Sequence, residues 1–220
     1  MDQRSVSEAV GSLRKRILLA GGSNIALVGV TKTFGSDAWR FAKEAGCDAV
    51  GENYAQEVVH KADEVAIADR LPVHFIGQLQ SNKIKQLAGI VDVWQSVDRL
   101  ALLTEIAKRS SQAGAEVFIQ VNVTGEDGKG GCAPGEVGEL IRSAIDVGLT
   151  VGGLMTVCPT REDPVMTRSA FRMLRTLVDE HGLRHCSMGM TGDLEIAIEE
   201  GSTMVRVGSA LFGNRPSPRQ

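Results

Sequence analysis

Eight short apolar runs, each followed by an amphipathic helical stretch, limit what this 220-residue chain can fold into. They fall at 26–31, 48–51, 73–76, 91–95, 116–122, 151–155, 184–188 and 203–207. Several, such as Ala26-Leu27-Val28-Gly29-Val30 and Val117-Phe118-Ile119-Gln120-Val121, are nearly continuous rather than alternating, the pattern of parallel strands covered by helices. Eight βα units are the number that closes a (β/α)8 barrel. An open doubly wound sheet is the alternative. It would carry a G-x-G-x-x-G turn after its first strand, where this chain has Thr31-Lys32-Thr33-Phe34-Gly35. The expected fold is α/β, a single (β/α)8 TIM barrel with an extra N-terminal helix. Residues 1–214 would form the one domain and 215–220, rich in proline and arginine, a disordered tail.

The spaces between the runs carry helix punctuation. Ser36 opens one helix that Gly46 closes, and Asp98 opens another that Gly114 ends. Ala133-Pro134 and Asp163-Pro164 supply N-cap and first-turn proline signals, with Gly148 and Gly182 as the matching stops. Near the N-terminus Val6, Val10, Leu13 and Ile17 share one helical stripe, and the basic triplet Arg14-Lys15-Arg16 reads as its solvated face.

A net charge of −3 and a pI near 5.8 give no basic field, so neither nucleic acid nor an anionic membrane is an expected partner. No stretch approaches the roughly 20 apolar residues that span a bilayer, and the N-terminus lacks a signal-peptide core. Cys47, Cys132, Cys158 and Cys186 are scattered, with no metal-ligand spacing among them or with the histidines, and read as reduced core thiols. The expectation is a soluble, cytoplasmic monomer without a metal.

The candidate chemistry sits at the two ends of the barrel sequence. Lys32 ends the first strand, where partial desolvation and a nearby cation would lower its amine pKa enough for Schiff-base formation; a solvent-facing lysine is the plainer alternative. Arg206 lies in the last strand, between Thr203-Met204-Val205 and Val207-Gly208, where a buried guanidinium needs an acceptor and a pyridine nitrogen would provide one. Ser187-Met188-Gly189-Met190-Thr191-Gly192-Asp193 and Gly208-Ser209 follow strands seven and eight, the customary phosphate loops of such barrels. If the ring closes, an amine, a fixed cation and an anion cup share one space. That suits a ligand both aldehyde and phosphate ester, as pyridoxal phosphate is. A pyridine nitrogen facing arginine stays unprotonated, which makes the ring a weaker electron sink.

Other segments are less decided. Asn53 reads equally as a helix N-cap or a ligand contact, and Tyr54 as a packing aromatic. His74 lies early in its strand and reads as a core histidine. Gly125-Glu126-Asp127-Gly128-Lys129-Gly130-Gly131 lacks the Walker spacing and reads as a mobile lid. Lys83 and Lys129 are open as secondary attachment points.

Val30-Thr31-Lys32, Gly51-Glu52-Asn53-Tyr54, the segment His74 to Lys83, Gly189-Met190-Thr191 and Gly201 to Gly208 together resemble the pyridoxal phosphate homeostasis proteins, over nearly the whole chain. The resemblance implies a fold like the N-terminal domain of alanine racemase, with pyridoxal phosphate held as an internal aldimine on Lys32. It further implies that Arg206 faces the pyridine nitrogen, that Thr191, Gly208 and Ser209 bind the phosphate, and that Asn53 lies beside the cofactor. Two departures are Thr191 where the family usually has serine, hydroxyl retained, and Gly192 where a polar residue is common. The expected role is a carrier or buffer of the cofactor without established turnover, serving PLP-dependent apoenzymes and amino-acid homeostasis. An amino-acid racemase is the runner-up, but it needs a second acid/base from a further domain, which this sequence is not expected to supply. A lysine Schiff-base aldolase is the third possibility.

Overall fold

All eight runs become strands, displaced from the expected limits by two residues at most. The computed structural model describes residues 2–110, 115–158 and 163–213. Strands β1 (Ala26–Val30), β2 (Ala49–Glu52), β3 (Val73–Phe75), β4 (Val93–Val97), β5 (Glu116–Gln120), β6 (Thr150–Met155), β7 (His185–Ser187) and β8 (Met204–Val207) pair in parallel and in chain order into a closed barrel. The ring shuts where β1 pairs β8, with Val28 opposite Arg206 and Gly29 opposite Val207. The protein is therefore a (β/α)8 barrel with an N-terminal helix. The expected boundary at 214 and the tail 215–220 lie outside the described residues.

The helices are α1 (Gln3–Leu19), α2 (Asp37–Glu44), α3 (Ala55–Glu64), α4 (Ser81–Leu87), α5 (Leu100–Arg109), α6 (Val137–Asp146), α7 (Pro164–Glu180), α8 (Leu194–Glu199) and α9 (Ser209–Phe212). Asp163 caps α7 as its proline signal implies, accepting from Val165 N at 2.8 Å. Asp98 does not cap α5. Arg99 takes the N-cap position, and the Asp98 carboxylate instead accepts from Gly131 N at 3.4 Å. Gly114, the expected stop, lies outside the described residues.

Two apolar layers follow from the pleat. Outside the barrel, helix stripes pack on the outward strand residues around Trp39, Trp94 and Phe171, each buried side chain contributing about 1.5–3 kcal/mol. Inside it, Val28, Ala49, Val93, Phe118, Met155 and Met204 fill the lumen.

Helix α1 buries the expected stripe of Val6, Val10, Leu13 and Ile17 and packs against α2, α8 and α9, across the β1–β8 seam. Of the basic triplet only Lys15 is exposed to solvent, while Arg14 and Arg16 are partly buried. Arg14 donates to Ile25 O at 2.9 Å and to Asp48 at 2.7 Å, while Arg16 donates to Glu195 at 2.7 Å and to Thr191 O at 3.4 Å. These contacts staple the helix over the seam, because a guanidinium satisfies several acceptors at once.

The four thiols are free, and burial pushes Cys47, Cys132 and Cys186 up to about 12 and Cys158 up to about 11, far from the reactive thiolate. Among the described residues no helix is long and apolar enough to cross a membrane, and no His/Cys/Asp/Glu group is arranged to hold a metal ion.

Candidate functional site

β1 stops at Val30, and the chain turns at the C-terminal rim so that the half-buried Lys32 borders a cavity of about 210 Å3. Thr191, Arg206, Gly208 and Ser209 border the same cavity, with Val30, Phe34 and Met190 completing its apolar wall. Ring closure thus brings five of the six candidate residues together. The Thr191 and Ser209 hydroxyls stand 3.3 Å apart, one from the loop after β7 and one from the first turn after β8. Glycine at 208 lets the two ends approach: a Cβ there would lie 3.2 Å from Val30 O. Gly189, at φ 97°, permits the turn into the β7 loop, where its Cβ would meet Ala197 at 2.5 Å.

Asn53 is not brought to this cavity. It lies with Tyr54, Gln78 and Lys83 on a second one of about 370 Å3, its Oδ1 buried and without a hydrogen-bond partner. Nor is it a helix cap, since Tyr54 takes that position at α3 and is half exposed. Lys129 borders a third cavity of about 600 Å3, which shares Met190 and Gly192 with the first. The loop around it is tied down rather than a loose lid. Lys129 Nζ donates to Cys158 O at 2.5 Å and Asn122 Nδ2 to Glu126 O at 3.0 Å.

Arg206 is 5% exposed, and burial draws its pKa down to about 10, against the favourable charge of Asp193. It remains cationic at neutral pH. The protein itself supplies two acceptors: one terminal nitrogen donates to Ser187 Oγ at 2.7 Å and the other to Thr156 O at 2.6 Å. A guanidinium has five N–H groups, so donors remain for a ring nitrogen above it.

Behind Arg206 runs a buried chain that sequence reasoning missed. Ser187 Oγ donates to Gln95 Oε1 at 2.7 Å, and Gln95 Nε2 lies 2.6 Å from His74 Nδ1. Each member donates to the next, so His74 accepts at Nδ1 and is neutral. Burial, then the neighbouring His185, depresses its pKa to about 4. His74 is thus the core histidine expected, and the signal for its partner was present: Gln95 is a polar residue inside the otherwise closed run Val93-Trp94-Gln95-Ser96-Val97. Asp193 was also missed. It borders the third cavity and accepts from Met190 N, bracing the β7 loop.

Comparison with known proteins agrees with this geometry. The alanine racemase N-terminal domain pattern matches residues 11–216. A pyridoxal phosphate homeostasis protein of Aquifex aeolicus is 41% identical over 96% of each chain. The chain belongs to the pyridoxal phosphate homeostasis protein family. Among solved structures of similar proteins, PipY of Synechococcus elongatus with PLP bound superposes with a TM-score of 0.82 at 29% identity, over 94% of this chain and all of that one. An alanine racemase of Streptomyces lavendulae shares the fold at 20% identity and a TM-score of 0.75, over 99% of this chain and 59% of that one.

Proposed function

We propose that this chain binds pyridoxal phosphate at the β1–β8 seam and carries or buffers it, with Lys32 as the covalent attachment point. The observation that carries the reading is the closing register, Val28 against Arg206, which gathers Lys32, Arg206, Thr191 and Ser209 on one small cavity. The residues fit the group. Two hydroxyls and the first turn of α9 suit a phosphate, Phe34 and Met190 suit the faces of a ring, and a charged Arg206 with spare donors suits a ring nitrogen. The names of the curated relatives, which denote a homeostasis protein and not an enzyme, and the PLP-bound PipY support it.

Bound pyridoxal phosphate supplies an aldehyde for exchange between amines. Lys32 would present the amine that holds it at the rim. Thr191, Gly208 and Ser209 would hold the phosphate. Arg206, cationic and hydrogen-bonded from behind, would face the ring nitrogen and leave it unprotonated, which would disfavour carbanion chemistry. A racemase needs a second acid/base across from the lysine. The sole tyrosine, Tyr54, lines the second cavity and not the first. Transfer to PLP-dependent apoenzymes, cytoplasmic residence and a monomeric state complete the proposal.

The test is the visible spectrum of the chain mixed with pyridoxal phosphate, before and after borohydride. The wild type should absorb in the visible and retain the label on Lys32, and Lys32→Ala should do neither. A spectrum unchanged in Lys32→Ala refutes the attachment, and steady racemisation of an amino-acid panel refutes the carrier.

A further inference from the structure

We propose that Glu52, Glu57 and Lys61 are positioning residues that clamp the backbone on both sides of Lys32; this rests on Lys32 being the attachment point. None of the three borders the cavity, and nothing in the exchange of amines uses them. Yet Glu52 is fully buried and Lys61 is 1% exposed, an arrangement that an apolar pair would replace without loss of stability.

Their contacts show what they hold. Lys61 Nζ, from α3, donates to Glu52 Oε1 at 2.6 Å and to Thr31 O at 2.7 Å. The same carboxylate oxygen accepts from Thr31 Oγ1 at 2.6 Å and from Trp39 Nε1 at 2.9 Å. Thr31, just before Lys32, is thus gripped by both its carbonyl and its hydroxyl. Just after Lys32, Thr33 N donates to Glu57 Oε2 at 2.8 Å, and Lys61 Nζ lies 3.7 Å from that oxygen. One ammonium therefore joins the two carboxylates that hold the flanking residues.

Thr33 gives the second line of evidence. At φ 70° it is the one non-glycine residue with positive φ among those described, and a β-branched side chain makes that conformation costly. Strain of this kind persists only where surrounding contacts enforce it. Here they are the Glu57 bond on Thr33 and the anchored Thr31. The strained turn sets the direction in which Lys32 leaves the rim. An amine that must meet an aldehyde at bonding distance gains rate from such fixing, and a displacement of about 1 Å can cost about a hundredfold.

The experiment uses the full chain and two probes: pyridoxal phosphate, and pyridoxine phosphate, which has an alcohol in place of the aldehyde. Lys32→Ala sets the baseline. If it keeps the wild-type visible band, the attachment reading falls; if it loses the band, that reading stands and the clamp is judged separately. Glu57→Ala, at a partly exposed position, removes the acceptor for Thr33 N and is expected to slow band formation at least about tenfold while the Kd for pyridoxine phosphate changes by less than about twofold and the melting curve stays in place. Thr33→Gly, which frees the turn, is expected to behave alike. Lys61→Met should slow it further, with partial rescue by Lys61→Arg. Attachment at the wild-type rate in Glu57→Ala and Thr33→Gly, or equal loss of both probes, overturns the clamp. Should Lys61→Met fail to fold, those two variants still decide.

Discussion

Acidification should weaken the fold chiefly through His74. The ring is buried and accepts a hydrogen bond from Gln95 at Nδ1, so a proton there would face an N–H donor at 2.6 Å. Its folded pKa is about 4, against 6.5 for the free side chain. Between those values the unfolded chain takes up a proton and the native chain does not. Its contribution is therefore complete above about pH 6.5 and is lost as pH falls toward 4. At about 1.4 kcal/mol per unit the full window is worth roughly 3 kcal/mol, and the part between pH 6.5 and 5 about 2 kcal/mol. Glu195 and Glu200, whose pKa values are lowered by Arg16 and by Arg172 with Arg168, lose their contributions only below the ordinary carboxylate value of 4.5, so they leave this window clear. His185 is shifted down as well, by burial first. A His74→Gln variant separates the two histidines. Urea unfolding at pH 7.5, 6.5, 5.5 and 5.0 should show the wild type losing about 2 kcal/mol more than the variant across the lower range. Equal pH slopes for the two chains refute the assignment of His74 as a buried neutral acceptor.

Two further outcomes follow from the same site. Arg206→Gln should weaken pyridoxal phosphate binding about tenfold or more, the value of one charge-assisted hydrogen bond, while unfolding free energy moves by only about 1 kcal/mol, because the buried guanidinium already carries a desolvation cost. A cofactor titration giving the wild-type Kd contradicts that role. Gly189→Ala should cost about 1–3 kcal/mol in urea unfolding, since φ 97° and a Cβ 2.5 Å from the Ala197 methyl both oppose it. A stability equal to wild type means the β7 loop relaxes freely around the added methyl.

The barrel was legible because its strands are buried on both faces, which writes them as unbroken apolar runs, and because parallel order brings the last beside the first. The stripe of α1 was legible for the same reason of periodicity. What was lost is partner identity. Arg14 and Arg16 look like any solvated charges, and only the fold reveals that Ile25 O, Asp48 and Glu195 lie within their reach. Asn53 is placed beside the cofactor by resemblance, whereas the structure sets it on a second cavity with Tyr54, Gln78 and Lys83. Lys61 did leave a trace. It sits in α3 on the stripe of Ala55, Val58 and Ala62, where a lysine must either break the stripe or find a buried partner.

The lumen makes the link between fold and function. Its apolar members, Val28, Ala49, Val93, Phe118, Met155 and Met204, are what a barrel needs for stability. Its polar members, His74, Gln95, Ser187 and Arg206, are not: apolar residues of the same volume would fill the space without the desolvation of a guanidinium. Those polar groups are acceptable only because each is satisfied by the next, and the chain points one way, from Arg206 inward to a histidine held neutral. Arg206 is thereby fixed in place by its rear contacts before any ligand arrives, so binding need not order it. The clamp on Thr31 and Thr33 does the same for the amine across the seam. A site with both partners fixed in advance suits repeated capture and release of one small ligand, which is the chemistry a carrier requires.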